Sequence, residues 1–122
     1  HRASADFSTA VAYTRSITES LLQRPMPQGV ALNVNIPAGP TIEGARVCRQ
    51  ANGYWEKEFH YLKGDENASE AVFQVTGQYF NREPEATDTD RYWLEHNYVS
   101  IVPVGVDYTH HEHFATFKYL EK

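Results

Sequence analysis

Four groups of side chains in this sequence are of types that do chemistry. His110, His111, Glu112 and His113 offer imidazoles and a carboxylate, which are ligands for first-row metals. On an α-helix adjacent positions point about 100° apart. Paired ligands need i, i+3 or i+4 spacing, which only His110 and His113 meet. The cluster reads as a solvated helix start, with Glu112 suited to the helix dipole, and no metal ligand is assigned in it. Glu83, Glu85, Asp88 and Asp90 have the chemistry to hold a hard cation or to act as acid and base. Acids are also favoured where an exposed loop enters a helix, and the stretch reads that way. Cys48 lies near Arg46 and Arg49. A close cation would lower its thiol pKa, but a lone cysteine is more often a small buried hydrophobe. Asn33 and Asn35 alternate with apolar residues, and a buried amide without partners costs about 1–3 kcal/mol. They either face a pocket at a strand's carboxyl end or fasten neighbouring loops through backbone hydrogen bonds. The second reading is preferred, since side-chain hydrogen bonds go mostly to backbone or water. No glycine-rich phosphate loop is present, and no Ser or Cys sits in a nucleophile context. No catalytic or metal residue is assigned, and substrate-binding residues stay open.

These side chains must be positioned by a small set of elements. Phe7, Ala10, Val11, Thr14, Ile17, Leu21 and Leu22 recur at helical spacing and predict a helix over residues 6–23. Ser4 or Asp6 is expected to cap it, and Pro25 and Pro27 to end it. Val30 to Ile36 predicts a buried strand with Val30, Leu32, Val34 and Ile36 on one face and Ala31, Asn33 and Asn35 on the other. Ala38 to Gly44 reads as a loop. Ala45 to Gln50, Trp55 to Tyr61 and Ala71 to Phe80 read as extended, the last two making a long hairpin with a polar tip over residues 63–69. Asp88 or Thr89 is expected to start a short helix bearing Tyr92, Trp93 and Leu94, which Asn97 ends. Val99 to Val104 predicts a second core strand. Thr109 and Glu112 fit a capping box for a terminal helix with Phe114, Phe117 and Leu120 as its stripe. The order of elements implies an α/β fold, partial because two core strands and a hairpin do not complete a doubly wound sheet.

Composition narrows the function classes. The 122 residues fit one domain or part of one, large enough for a real core. Sixteen acids against eleven bases give a net charge of -5, which argues against a nucleic-acid polymer as partner. A single nucleotide remains open, because it needs only a few local donors. One cysteine cannot form an internal disulfide, so a cytoplasmic setting is expected. No run is apolar and long enough to span a bilayer, and no signal peptide is expected. The first residue is His rather than Met, so the chain is expected to be cut from something longer.

Taken in order, Leu32-Asn33-Val34-Asn35-Ile36-Pro37, Val47-Cys48-Arg49-Gln50-Ala51 with Gly53 and Trp55, Glu83-Pro84-Glu85-Ala86-Thr87-Asp88-Thr89-Asp90, and Tyr98-Val99-Ser100-Ile101-Val102-Pro103-Val104 with Asp107 and Thr109 resemble the second half of the SurE family. The resemblance implies an α/β/α sandwich: helix, core strand, extended hairpin, short helix, core strand and carboxyl-terminal helix. It implies that residues 1–122 are one fragment, the carboxyl-terminal half of a SurE-like phosphatase, and that residues 56–80 form its oligomerisation hairpin. It implies a metal-dependent nucleoside-monophosphate phosphatase of the 5'-nucleotidase or acid phosphatase type. The Mg or Mn ion would be bound outside this fragment, which is expected to be inactive alone and to form a homo-oligomer, dimer or tetramer. In the hairpin this chain carries Gly64-Asp65-Glu66-Asn67 and Ala71-Val72-Phe73 where members often have an Asp-Pro-x-Gly turn and a Tyr-Tyr-Trp run. The alternative is a non-enzymatic structural or binding module that self-assembles.

Overall fold

Tyr98–Gly105 is the strand to which the rest of the main sheet attaches, and it is the most apolar segment of the chain's second half. The computed structural model describes residues 6–38, 41–64 and 71–121. Along them run α1 (Ser8–Gln23), β1 (Val30–Asn35), β2 (Gly44–Val47), β3 (Gly53–Glu56), β4 (Phe59–Gly64), β5 (Ala71–Val75), β6 (Gln78–Asn81), α2 (Asp90–Glu95), β7 (Tyr98–Gly105) and α3 (Phe114–Phe117). The last is flanked by 3₁₀ turns at His111–His113 and Lys118–Leu120. The order is that of an α/β fold, as expected.

β7 is central in a mixed three-stranded sheet of order β1-β7-β2. It pairs antiparallel with β1, from Val30 opposite Gly105 to Asn35 opposite Ser100. It pairs parallel with β2, from Gly44 opposite Tyr98 to Val47 opposite Ile101. Val99, Ser100 and Val102 are buried, so both faces of β7 are covered. The Ser100 hydroxyl is buried without a hydrogen-bond partner, a cost of about 1–3 kcal/mol. The strand runs through Pro103 to Gly105. Ile101 turns its carbonyl toward Cys48 on the β2 side, so Pro103, two residues on, presents its donorless nitrogen to the same side. β2 has already ended there, and a proline is tolerated where no ladder bond is asked of it.

Expectation and structure part company at several places. β1 lies at the edge of this sheet rather than between partners, and Asn33 is exposed. α1 forms where its periodicity puts it, and Asp6 Oδ1 accepts from the Ser8 N–H at 2.9 Å. Ser4 lies outside the described residues, as do Gly39 and Pro40 of the first loop and residues 65–69 of the tip. The helical stripe is only partly used: Phe7, Val11 and Leu22 are exposed, and no residue of α1 is buried. The apolar residues buried in the whole described structure are Ala51, Val99 and Val102. The substantial core expected from length is therefore missing. The accessible surface is 10473 Å², against about 6,700 Å² for a folded 14.0 kDa monomer.

The hairpin spans both expected extended pieces and reaches beyond them. β3 pairs antiparallel with β6, and β4 with β5. Cross-strand rings face each other at each level: Tyr54 and Phe80 at 5.6 Å, Trp55 and Tyr79 at 5.5 Å, Tyr61 and Phe73 at 5.6 Å. Such pairs stabilise a ribbon by about 0.2–1 kcal/mol each. The ladder breaks where Lys57 (φ 52) and Gly77 (φ 138) face each other across it, and its register shifts again between Tyr61 and Lys63. Thr76 spans the break, donating its N–H to Glu58 O and its hydroxyl to Lys57 O.

Gly77 is required at that break, because a Cβ there would lie 2.9 Å from Trp55 Cε3 and φ 138 is closed to other residues. Gly77→Ala is expected to lower unfolding free energy by about 1–3 kcal/mol. Gly105→Ala, whose nearest neighbour would be Asp107 O at 3.6 Å, is expected to stay within about 0.5 kcal/mol of the parent. Urea unfolding followed by tryptophan fluorescence compares the two.

Candidate functional site

Arg49 follows β2 and reaches three segments at once. Its backbone forms a parallel bridge with Thr89, accepting from Asp90 N–H at 2.9 Å and donating to Asp88 O at 3.2 Å. Its guanidinium grips Glu83 with two contacts, Nη1 to Oε1 at 2.6 Å and Nη2 to Oε2 at 3.1 Å. Nε donates to Asp88 Oδ2 at 2.9 Å. A planar fork suits this geometry, and charge-assisted bidentate bonds are stronger and more directional than neutral ones. Glu83 Oε1 also accepts from Asn52 N–H at 2.7 Å, while Arg82 N–H donates to Asn52 O at 2.9 Å. Asp90 Oδ1 accepts from Ala51 N–H at 2.8 Å and Arg91 N–H at 2.7 Å. Buried Thr89 caps α2, its hydroxyl accepting from Tyr92 N–H at 3.2 Å.

This accounts for most of the acidic cluster. Glu83 and Asp88 neutralise Arg49, Asp90 accepts from backbone, and Glu85 is exposed. The Arg49 hydrogen bonds hold the Glu83 and Asp88 carboxyls below their ordinary 4.5 and 3.8. A general acid needs the opposite shift. Sequence reasoning treated Arg49 only as a neighbour of Cys48. Its partners lie 34 and 39 residues further on, a separation no local spacing rule detects.

Cys48 is half-buried, and burial raises its thiol pKa. Neither arginine activates it: Arg49 is committed to carboxylates, and Arg46 lies over Tyr98 at 4.5 Å and Trp93 at 5.3 Å. Asn33 and Asn35 bond each other, Asn35 Nδ2 donating to Asn33 Oδ1 at 3.3 Å. That amide pair replaces the expected anchoring of loops through backbone. Asn35 nevertheless reaches a pocket of about 360 Å³ at the carboxyl end of β1. Gln50, Trp55, Tyr79, Asp90 and Arg91 line it too, with Arg91 5.7 Å from the Tyr79 ring. The pocket offers amides, aromatic surface and one charge of each sign, a set fit to bind a polar planar group rather than to cleave a bond. The clasp holds two of its walls.

Near the carboxyl terminus the expected capping box is absent. Thr109 N–H is accepted by Asp107 Oδ1 at 2.8 Å, so Asp107 turns the chain and the helix start becomes a 3₁₀ turn. Asp107 Oδ2 lies 2.7 Å from His111 Nε2. The Thr109 and His111 hydrogen bonds pull the Asp107 carboxyl down to about 2. Phe114, Phe117 and Leu120 share the expected stripe but are exposed.

The family model described as "Survival protein SurE" matches residues 1–57. The 5'-nucleotidase SurE of Phocaeicola vulgatus is 42% identical over 112 residues, which are 89% of this chain and 42% of that protein. That of Christiangramia forsetii is 43% identical over 90% of this chain and 42% of its own length. The chain thus spans about two fifths of the curated relatives it matches. In structure it resembles the SurE protein from Aquifex aeolicus, with a TM-score of 0.70 and 23% identity over all of this chain and 49% of that one. That likeness is one of fold.

Asp90→Ala is expected to lower unfolding free energy by about 1–3 kcal/mol, because it strips the acceptor from the Ala51 N–H. The clasp also makes stability depend on acid. Glu83 and Asp88 titrate lower folded than unfolded, so their contribution is present above pH 4.5 and is lost as pH falls through their depressed folded values. Arg49→Ala should melt below the parent at pH 7, and the gap should close below the ordinary carboxylate range. Thermal melts of both proteins across pH 2–7 measure it.

Proposed function

We propose that this chain, which is similar to SurE sequences, is the scaffold and oligomerisation half of a metal-dependent nucleoside-monophosphate phosphatase of the 5'-nucleotidase or acid phosphatase type. The observation that carries this is identity of 42–43% to proteins named 5'-nucleotidase SurE across nine tenths of the chain. The substrate is a nucleoside monophosphate and the setting is the cytoplasm. No described helix is long and apolar enough to cross a membrane.

The Mg or Mn ion that this activity calls for does not fit the described residues. Such an ion takes oxygen ligands. The carboxylates of the connector are held by Arg49 and by backbone amides. The His110, Glu112 and His113 group brings two imidazoles and one carboxylate. On this reading the ion is bound outside the described residues, and no chemical step is assigned to them. Its contribution is the sheet around β7 and the pocket at the end of β1, where α/β folds receive ligands.

The same reading explains the exposed apolar surface. Trp55, Phe59, Phe73 and Val75 of the hairpin are open to solvent, and the edge of β1 has no partner among the described residues. Such features tend to be covered by another chain. On this reading the hairpin expected over residues 56–80 is the oligomerisation element of a homodimer or tetramer.

The isolated chain should show no turnover of p-nitrophenyl phosphate with Mg²⁺ or Mn²⁺. The whole protein should hydrolyse AMP or GMP, lose activity in EDTA and regain it with a divalent cation. Metal-independent hydrolysis would remove the assignment and leave a self-assembling module. Sedimentation at micromolar concentration should show a dimer or larger species. Replacing Phe59 and Phe73 by Ser should shift it toward monomer, whereas an unaltered distribution would exclude the hairpin as the interface.

A further inference from the structure

We infer that His110, Glu112 and His113 form a binding site for a late first-row divalent metal, with Zn²⁺ as its best-suited ion. The α-helical geometry that set this cluster aside does not apply, because the segment is a 3₁₀ turn. His110 is the residue before this turn, and its carbonyl accepts from the His113 N–H at 3.0 Å, which keeps the two residues one turn apart. Their ring centroids are 5.7 Å apart. Glu112 Oε1 stands between them, 3.0 Å from His110 Nδ1 and 3.9 Å from His113 Nε2. One ligand atom from each residue lies within 4.8 Å of the others. Zinc bonds of about 2.0–2.2 Å in tetrahedral geometry separate ligands by about 3.3–3.5 Å. Small rotations of three exposed side chains close that difference.

The neighbours favour this set. His111 is withdrawn, its Nε2 held by Asp107 Oδ2 at 2.7 Å, so the turn presents two imidazoles rather than three. Asp107 also accepts from Thr109 N–H, fixing the entry to the turn. His110 and His113 line an open groove of about 560 Å³ with Phe114 and Phe117, which leaves room for a water as fourth ligand. Two imidazoles and one carboxylate suit zinc, nickel or copper, whereas magnesium takes oxygen ligands.

Calorimetry and Co²⁺ absorption on the full chain test the site without reference to turnover. Zn²⁺ should bind at one site and Mg²⁺ should not compete. His113→Ala and Glu112→Gln should each weaken Zn²⁺ by at least about 10-fold, the lower end of what even outer-shell partners command. His111→Ala should change affinity by less than about 3-fold, within ordinary context effects. Circular dichroism checks that each variant keeps its fold. Absence of Zn²⁺ binding at millimolar metal, or equal losses in His111→Ala and His113→Ala, would overturn the site. These outcomes do not depend on whether the whole protein is a phosphatase.

Discussion

A single guanidinium ties the exit from β2 to the stretch that leads into α2. Arg49 takes Glu83 with one edge and Asp88 with Nε, and its backbone runs beside Thr89. The strand leading out of the sheet is thereby tied to the connector that leads back to it. The hairpin grows from between these two segments. An isolated two-stranded ribbon is marginal in water, so its foundation matters more than its length. Asn52 and Ala51 supply that foundation by donating their backbone N–H groups to the Glu83 and Asp90 carboxylates. The same bonds shape the pocket beside β1. Support for the hairpin and support for the pocket are one construction.

The elements legible in the sequence were those encoded locally. The α1 periodicity, the Thr89 cap, Asn97 in the left-handed region at φ 61 and the β-rich run of β7 follow from side-chain pattern and backbone preference. What escaped depended on distant partners. The Arg49 fork is assembled across more than thirty residues. The Thr109 capping box yields to Asp107, which competes for the same amide. Asn33 reads as buried by alternation, yet alternation cannot say whether a sheet face is covered. Among candidate site residues, the acidic cluster was read as a loop entering a helix, and its partner Arg49 went unnoticed.

The burial pattern separates two demands on the chain. Val99 and Val102 are sealed as in any folded domain. Around them the apolar residues of α1, β5 and α3 are turned outward. A pattern with helical or strand period says that a face wants cover, and it does not say that the same chain provides it. Aromatic pairs across the hairpin stiffen it without hiding it.

The topology of β7 has a consequence for how the chain is made. Val30 must wait for Gly105 and Gly44 for Tyr98 before either strand gains its neighbour. A ribosome releases the chain from the amino end, so β1 and β2 emerge long before the strand that joins them. During that interval two apolar segments present open edges, while the hairpin between them closes from nearby residues. Distant pairing of this kind slows folding and prolongs exposure to aggregation. Translation speed and chaperone occupancy over the stretch before Tyr98 thus become properties on which the yield of native sheet depends.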